Sequence, residues 1–106
     1  MELALKAIVE PRRRAILRLV RDDELPSGEI ARHFDITGPA ISQHLGVLEE
    51  AGLVSVRKDG TRRLYRARRE GMAELRQFLE DFWDEGLDRL RDAAERAQRA
   101  KEKSDA

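Results

Sequence analysis

At 106 residues, 41% hydrophobic but only 5% aromatic, the chain has room for one core of Leu, Ile, Val and Ala, which disfavours an aromatic-rich β-sandwich. The absence of cysteine excludes disulfides and thiolate metal sites, and no run approaches the ~20 apolar residues that span a bilayer. The formal net charge is zero but unevenly spread: residues 1–69 carry 14 basic and 10 acidic side chains, residues 70–106 carry 7 and 11, and residues 51–69 set seven bases against Asp59 alone, so one end is built to meet an anion.

Leu3, Leu5, Ile8 and Val9 predict a short first helix that stops at Pro11. Glu2, Lys6 and Glu10 interrupt this apolar start, so a signal peptide is not expected and the reading is a soluble cytoplasmic protein. Pro11 suits the first position of a second helix, whose apolar face holds Ala15, Ile16, Leu17, Leu19 and Val20. The run Arg12-Arg13-Arg14 puts positive charge at that helix's start, where the macrodipole disfavours it; a phosphate, an acidic partner or an ordinary polar helix start are open readings. Asp22-Asp23-Glu24 ends the helix, and Pro26-Ser27-Gly28-Glu29 starts a third, with Ile30, Ala31 and Phe34 on its apolar side.

After a break at Asp35-Ile36, Thr37 is the natural N-cap of a fourth helix, with Pro39 in its first turn. Ile41, Leu45 and Leu48 form the buried row, and Gly52 ends the helix. Two short amphipathic helices joined by a tight turn make a helix-turn-helix. From Leu53 to Ala67 the period changes, and Asp59-Gly60 between β-formers predicts a hairpin. Beyond Glu70-Gly71 a long helix carries Met72, Leu75, Phe78, Leu79, Phe82, Trp83, Leu87 and Leu90 three or four apart. Carried to about Lys101 it spans roughly 45 Å, with Glu85–Arg89, Asp92–Arg96 and Glu95–Arg99 as i,i+4 ion pairs. Residues 101–106 are expected to fray, leaving 1–100 as one domain. The architecture is mainly α with a small β-hairpin, α-α-α-α-β-β-α.

The exposed face of the fourth helix offers Gly38, Ala40, Ser42, Gln43 and His44 after Thr37. Gln43 suits the major-groove edge of adenine, Ala40 a thymine methyl, and Ser42 and His44 phosphate or backbone contacts. The hairpin carries Arg57, Lys58, Arg62 and Arg63, which suit a phosphate backbone or a narrow minor groove. Leu75, Leu79, Phe82, Trp83, Leu87 and Leu90 of the last helix exceed what one small core can cover and predict a homodimer seam, with a ligand pocket around Trp83 as the alternative. His33 lacks companion ligands and reads as a surface or half-buried residue. Asp81, Asp84 and Asp88 share a face that could hold a hard cation, although oxygen-only sites without a loop are weak. No nucleophile-and-base arrangement or glycine-rich phosphate loop is legible, so neither an enzyme nor a cofactor is expected.

The chain resembles the ArsR/SmtB-type winged-helix repressors of bacteria. The likeness rests on Pro11-Arg12-Arg13-Arg14-Ala15-Ile16-Leu17, on Gly28-Glu29-Ile30-Ala31, and on Ala40-Ile41-Ser42-Gln43-His44-Leu45-Gly46-Val47-Leu48. Ala51-Gly52-Leu53-Val54 and the Gly60 to Tyr65 wing then follow at the family's spacing. The resemblance implies a winged helix-turn-helix homodimer built from the first and last helices, which adds Leu3 and Leu5 to the seam, the fourth helix lying in the major groove of double-stranded operator DNA. It also implies an effector, which the residues do not identify. The metal-sensing members' Glu-Leu-Cys-Val-Cys matches Glu24-Leu25-Pro26-Ser27-Gly28, so Pro26 and Gly28 stand where the cysteines would be. No histidine follows His44, so no standard metal site is expected. The segment from Phe82 to Leu90 looks like that of members without metal ligands. A metal-responsive repressor using the acidic last helix and a winged-helix protein-interaction adaptor are the competing readings.

Overall fold

The computed structural model describes residues 1–105. In chain order the elements are α1 (Glu2–Val9), α2 (Pro11–Leu19), β1 (Leu25–Pro26), α3 (Ser27–Ala31), α4 (Gly38–Glu50), β2 (Val54–Asp59), β3 (Arg62–Ala67) and α5 (Arg69–Asp105). The chain divides into two compact units, Met1–Leu75 and the remainder from Arg76. The winged helix is therefore complete by Leu75.

Within the first unit, local chemistry sets each helix end. Glu10, whose capping role the sequence reading missed, accepts from the backbone N–H groups of Arg12 and Arg13 at 2.8 and 3.3 Å, and Pro11 occupies the first position of α2. Thr37 Oγ1 accepts from the Ala40 N–H at 3.2 Å, as expected of an N-cap. At the other end of α4, Gly52 N–H donates to the Glu49 carbonyl and Leu53 N–H to the Leu48 carbonyl, both at 3.0 Å, with Gly52 at φ +75°. That is a Schellman termination, and the left-handed φ explains the glycine.

The core joins Ala4 and Ala7 of α1, Ile16 and Leu17 of α2 with Val20 just beyond it, Ile30 of α3, the α4 row Ile41, Leu45 and Leu48, and Leu53, Val54, Tyr65 and Leu75. Each fully buried Ile or Leu contributes about 1.5–3 kcal/mol as an upper estimate. Backbone bonds from Ala67 N–H to the Val20 carbonyl (2.9 Å) and from Arg68 N–H to the Leu53 carbonyl (2.8 Å) tie the end of β3 to α2 and to the end of α4.

Two features depart from the sequence reading. The sheet has three antiparallel strands in the order β1-β3-β2, because Leu25 and Pro26 pair with Tyr65 and Leu64. Proline is tolerated there because β1 is an edge strand. The hairpin turn is also shifted by one residue: Asp59 still pairs with Arg62, and Gly60-Thr61 is the two-residue loop, with φ +65° at Gly60. Glycine at the first loop position supplies the positive φ that a tight hairpin needs.

The second unit, 76–105, is a single run of helix. It contains no proline and abundant Glu, Arg, Ala, Leu and Gln, all strong helix formers. Helix also covers residues 101–105, expected to fray; Lys, Glu and Ser there carry no helix breaker, and Gln98 Nε2 reaches Glu102 Oε1 at 3.5 Å. Ala106 lies outside the described residues. In all, α5 comprises 37 residues, Arg69–Asp105, and so runs past Lys101, where the sequence places its end. The expected pairs Glu85–Arg89, Asp92–Arg96 and Glu95–Arg99 are not closed; Arg76–Glu80 (2.9 Å) and Asp88–Arg91 (3.4 Å) are, as suits long, hydrated side chains whose pairing is worth only tenths of a kcal/mol. Among the described residues no helix is long and apolar enough to cross a membrane.

Candidate nucleic-acid interface

Helix α4 sorts its side chains by the angle they make with the buried row. At about 100° per residue, Gln43 lies nearly opposite Ile41, Leu45 and Leu48, and it is exposed. Ser42 and Gly46 form the flank towards the wing; Ala40 and His44 form the opposite flank. Thr37, Gly38, Ser42 and Gln43 are exposed, whereas Ala40 and His44 are half-buried. The ring of His44 is drawn towards α2, its Nδ1 3.4 Å from Arg13 Nη1. Since the guanidinium can only donate, this contact needs the His44 Nδ1 lone pair as acceptor. His44 is thus a positioned flank residue more than a free one.

The wing is similarly uneven. Arg57 is held by Glu24 through bonds of 2.6, 3.1 and 3.2 Å, tying β2 to the segment before β1. The hydrogen bond from Arg57 is the main reason the Glu24 carboxyl sits below its ordinary value, and the same bond raises Arg57. Arg63 Nη2 lies 3.8 Å from Glu49 Oε2 of α4. Among the described residues Lys58 and Arg62 have no carboxylate within 4.0 Å. Lys58 and Arg63 stand directly opposite each other in the β2–β3 ladder. A like-charge cross-strand pair is destabilising in the free protein, and a polyanion laid across it removes that cost.

Between α3, α4 and the wing lies a cleft of about 680 Å³. Ser42 and Gly46 form one side of it, Thr61, Arg62 and Arg63 another, and Arg32 at the end of α3 adds a third cation. Glu29 and Glu49 temper the charge. Of the ten residues predicted for this interface, the structure gathers Ser42, Arg62 and Arg63 in the cleft and leaves Gln43, Thr37 and Gly38 on the outer face of α4. It diverts Arg57 and His44 into intramolecular contacts. Arg32 and Gly46 were missed: Arg32 follows the apolar pair Ile30-Ala31 without any motif of its own, and Gly46 is i+4 from Ser42, a spacing that could have shown it.

The arginines opening α2 have a structural task the sequence did not reveal. Arg13 Nε donates to the Ala7 carbonyl at 2.7 Å, and Arg14 Nη1 donates to the Ile8 and Val9 carbonyls at 2.7 and 2.9 Å. Their partner is the negative end of α1, whose last carbonyls they satisfy.

The predicted dimer residues also separate. Leu75 is only 5% exposed and belongs to the core, and Leu5 is half-buried against it, so neither offers a free face. The apolar row of Leu75 continues along α5 into exposed positions. Leu3, Leu79, Phe82, Trp83, Leu87 and Leu90 are exposed, Trp83 by 66% and Leu90 by 68%, and Phe78, also exposed, stacks on Phe82 with ring centroids 6.3 Å apart. His33 is exposed. Among the described residues no group of His, Cys, Asp or Glu is arranged to hold a metal ion, the Asp81, Asp84 and Asp88 face included.

A family model described as bacterial regulatory protein, arsR family, matches residues 10–56, which run from the Glu10 cap to Val56 of the wing. Among curated proteins, the HTH-type transcriptional regulator Rv2034 of Mycobacterium tuberculosis is 43% identical over 84 residues, covering 79% of this chain and 78% of the relative. The transcriptional repressor SdpR of Bacillus subtilis is 42% identical over 60 residues, 57% of this chain and 67% of its own. Among solved structures, the homodimeric winged helix-turn-helix DNA-binding domain of Mb0332 from Mycobacterium bovis superposes with a TM-score of 0.64 at 32% identity, covering 81% of this chain and 80% of that one.

Proposed function

The chain belongs to the ArsR family of bacterial regulatory proteins and is a DNA-binding transcriptional regulator; from that premise we propose that it acts in the cytoplasm as a homodimeric repressor, without catalysis and without a standard metal-sensing site. In this reading α4 enters the major groove with Gln43 on the base edges, while Thr37, Gly38 and Ser42 meet the adjoining backbone. The wing brings Lys58, Arg62 and Arg63 to phosphates, while the exposed row of α5 and the exposed Leu3 of α1 each meet a second copy. Arg57, Ala40 and His44 support these surfaces from behind.

The observation that carries the proposal is the cleft between α4 and the wing, with Ser42 and Gly46 on one side and, on the other, Arg62, which has no carboxylate within 4.0 Å among the described residues. Its small α4 side chains leave room for a phosphodiester strand, and its cations face the room so left. The relatives named as a repressor and as a homodimeric DNA-binding domain support the direction of control and the assembly. The test is selection of bound duplexes from a random pool at physiological salt, followed by footprinting. Two related half-sites, spaced by about 34–36 Å or a multiple of it, are the expected result for a two-fold dimer. Failure to enrich any sequence, or equal retention of single-stranded RNA, overturns the proposal.

A further inference from the structure

A second cavity, of about 480 Å³, shares no lining residue with the α4–wing cleft and is bounded by α1, α2, the end of β3 and the first turns of α5, all within the first unit. Its size falls within the range of small-molecule sites. Ile8, Leu17, Ala67 and Met72 give it an apolar floor, Leu17 buried and the others half-buried. Arg14, Arg18, Arg21, Arg66 and Arg69 rim it. The one acid on the rim, Asp22, is engaged by Arg21 at 3.3 Å, and Arg14 is fixed by the carbonyls of Ile8 and Val9. Among the described residues Arg18, Arg66 and Arg69 have no carboxylate within 4.0 Å.

Each half of this arrangement is costly alone. Clustered guanidinium groups repel one another, and half-buried apolar side chains at the bottom of a cavity hold poorly bonded water. An inorganic anion would answer the arginines and leave the floor wet; a neutral hydrocarbon would do the reverse. One molecule with a carboxylate head and a hydrocarbon body answers both, because a guanidinium fork pairs bidentately with a carboxylate. We propose that this cavity is a binding site for such an anionic amphipath, one per chain, with its head on Arg18, Arg66 and Arg69 and its tail over Leu17 and Met72. The site is independent of the α4–wing cleft and of whether that cleft binds DNA.

The test is calorimetric titration of the full chain with decanoate below its micellar concentration, with decanol and acetate as controls. Decanoate is expected to bind once per chain, with decanol and acetate each at least tenfold weaker. The Arg18→Ser, Arg69→Ser double variant is expected to weaken decanoate at least tenfold. Both residues are exposed, so circular dichroism of that variant should match the wild type, and Arg62→Ser on the wing should leave decanoate binding unchanged. Decanol binding as tightly as decanoate would reduce the site to a general apolar patch and overturn the proposal. So would unchanged binding by the double variant, or no binding by the wild type. If the wild type binds nothing and the double variant sediments at a lower mass than the wild type, the arginines serve the acidic helix of a second copy instead, and the proposal fails.

Discussion

The wing cations differ in how free they are, and salt dependence reads that difference directly. Arg57 already donates three bonds to Glu24, whereas Arg62 has no carboxylate within 4.0 Å among the described residues. A phosphate meeting Arg62 releases condensed counterions from the DNA; a phosphate meeting Arg57 must first compete with Glu24. Arg62→Ala should therefore lower the slope of log affinity against log salt by about 0.9 for each lost contact, or about 1.8 for a dimer. Over the fourfold change from about 50 to 200 mM salt, the wild type should lose roughly twelvefold more affinity than the variant. Lys58→Ala should behave alike. Arg57→Ala should leave the slope nearly unchanged and instead lower the melting temperature. Fluorescence anisotropy with a labelled duplex at three salt concentrations measures all of this. If Arg57→Ala flattened the slope as much as Arg62→Ala, the reading of Arg57 as a structural residue would be wrong.

Gly71→Ala should destabilise the fold by about 1–3 kcal/mol, since its Cβ would enter the Gly52 carbonyl, whose carbon would lie 2.9 Å away; at about 4–8 °C per kcal/mol, a thermal melt shifted by less than 4 °C would refute it. The Glu24–Arg57 pair should show in the pH dependence of stability. The folded Glu24 carboxyl lies below its ordinary 4.5, so its contribution is complete above that value and is lost as pH falls through the lowered one; the melting difference between wild type and Glu24→Gln should vanish in acid, and a difference that persisted there would argue against the pair. Trp83→Glu with Leu90→Glu should convert a dimer to a monomer in sedimentation while leaving the circular dichroism of the winged helix in place; an unchanged mass would move the seam elsewhere.

The elements legible in the sequence were those whose cause is local. The Ile41, Leu45, Leu48 row, the Thr37 cap and the Gly52 terminator each act within one helix, and each sits where the spacing puts it. What escaped was set by partners distant along the chain. Glu24 and Arg57 are 33 residues apart, and nothing in a run of charges says which one will be neutralised. Arg13 and Arg14 looked costly at the start of α2 because the carbonyls they satisfy belong to another helix. The two residues of β1 are too few to show a period, and they become a strand only because Leu64 and Tyr65 offer them a ladder. Leu75 and Leu79 belong to one periodic row, yet the core closes over the first and leaves the second exposed. Periodicity identifies an apolar face but not where its own core ends.

That same distinction between a face and its neighbours decides which residue of α4 reads sequence. Gln43 and His44 are adjacent, and both can hydrogen-bond a base edge, but they leave the helix about 100° apart. Gln43 points away from the buried row into solvent, while His44 is half-buried with Nδ1 3.4 Å from Arg13 Nη1. If α4 lies in the major groove, Gln43→Ala should reduce the preference for a selected site over random DNA by about ten- to a hundredfold, the ~1–3 kcal/mol of a lost bidentate contact. Its salt slope should match the wild type, because no phosphate contact is lost. His44→Ala should keep most of that preference and show its cost in thermal stability, since the group it abandons is on α2. Measuring both variants on both DNAs separates the two roles. A collapse of preference in His44→Ala, with Gln43→Ala unaffected, would mean that the helix is rolled in the groove towards α2, and the assignment of the reading face would have to be reversed.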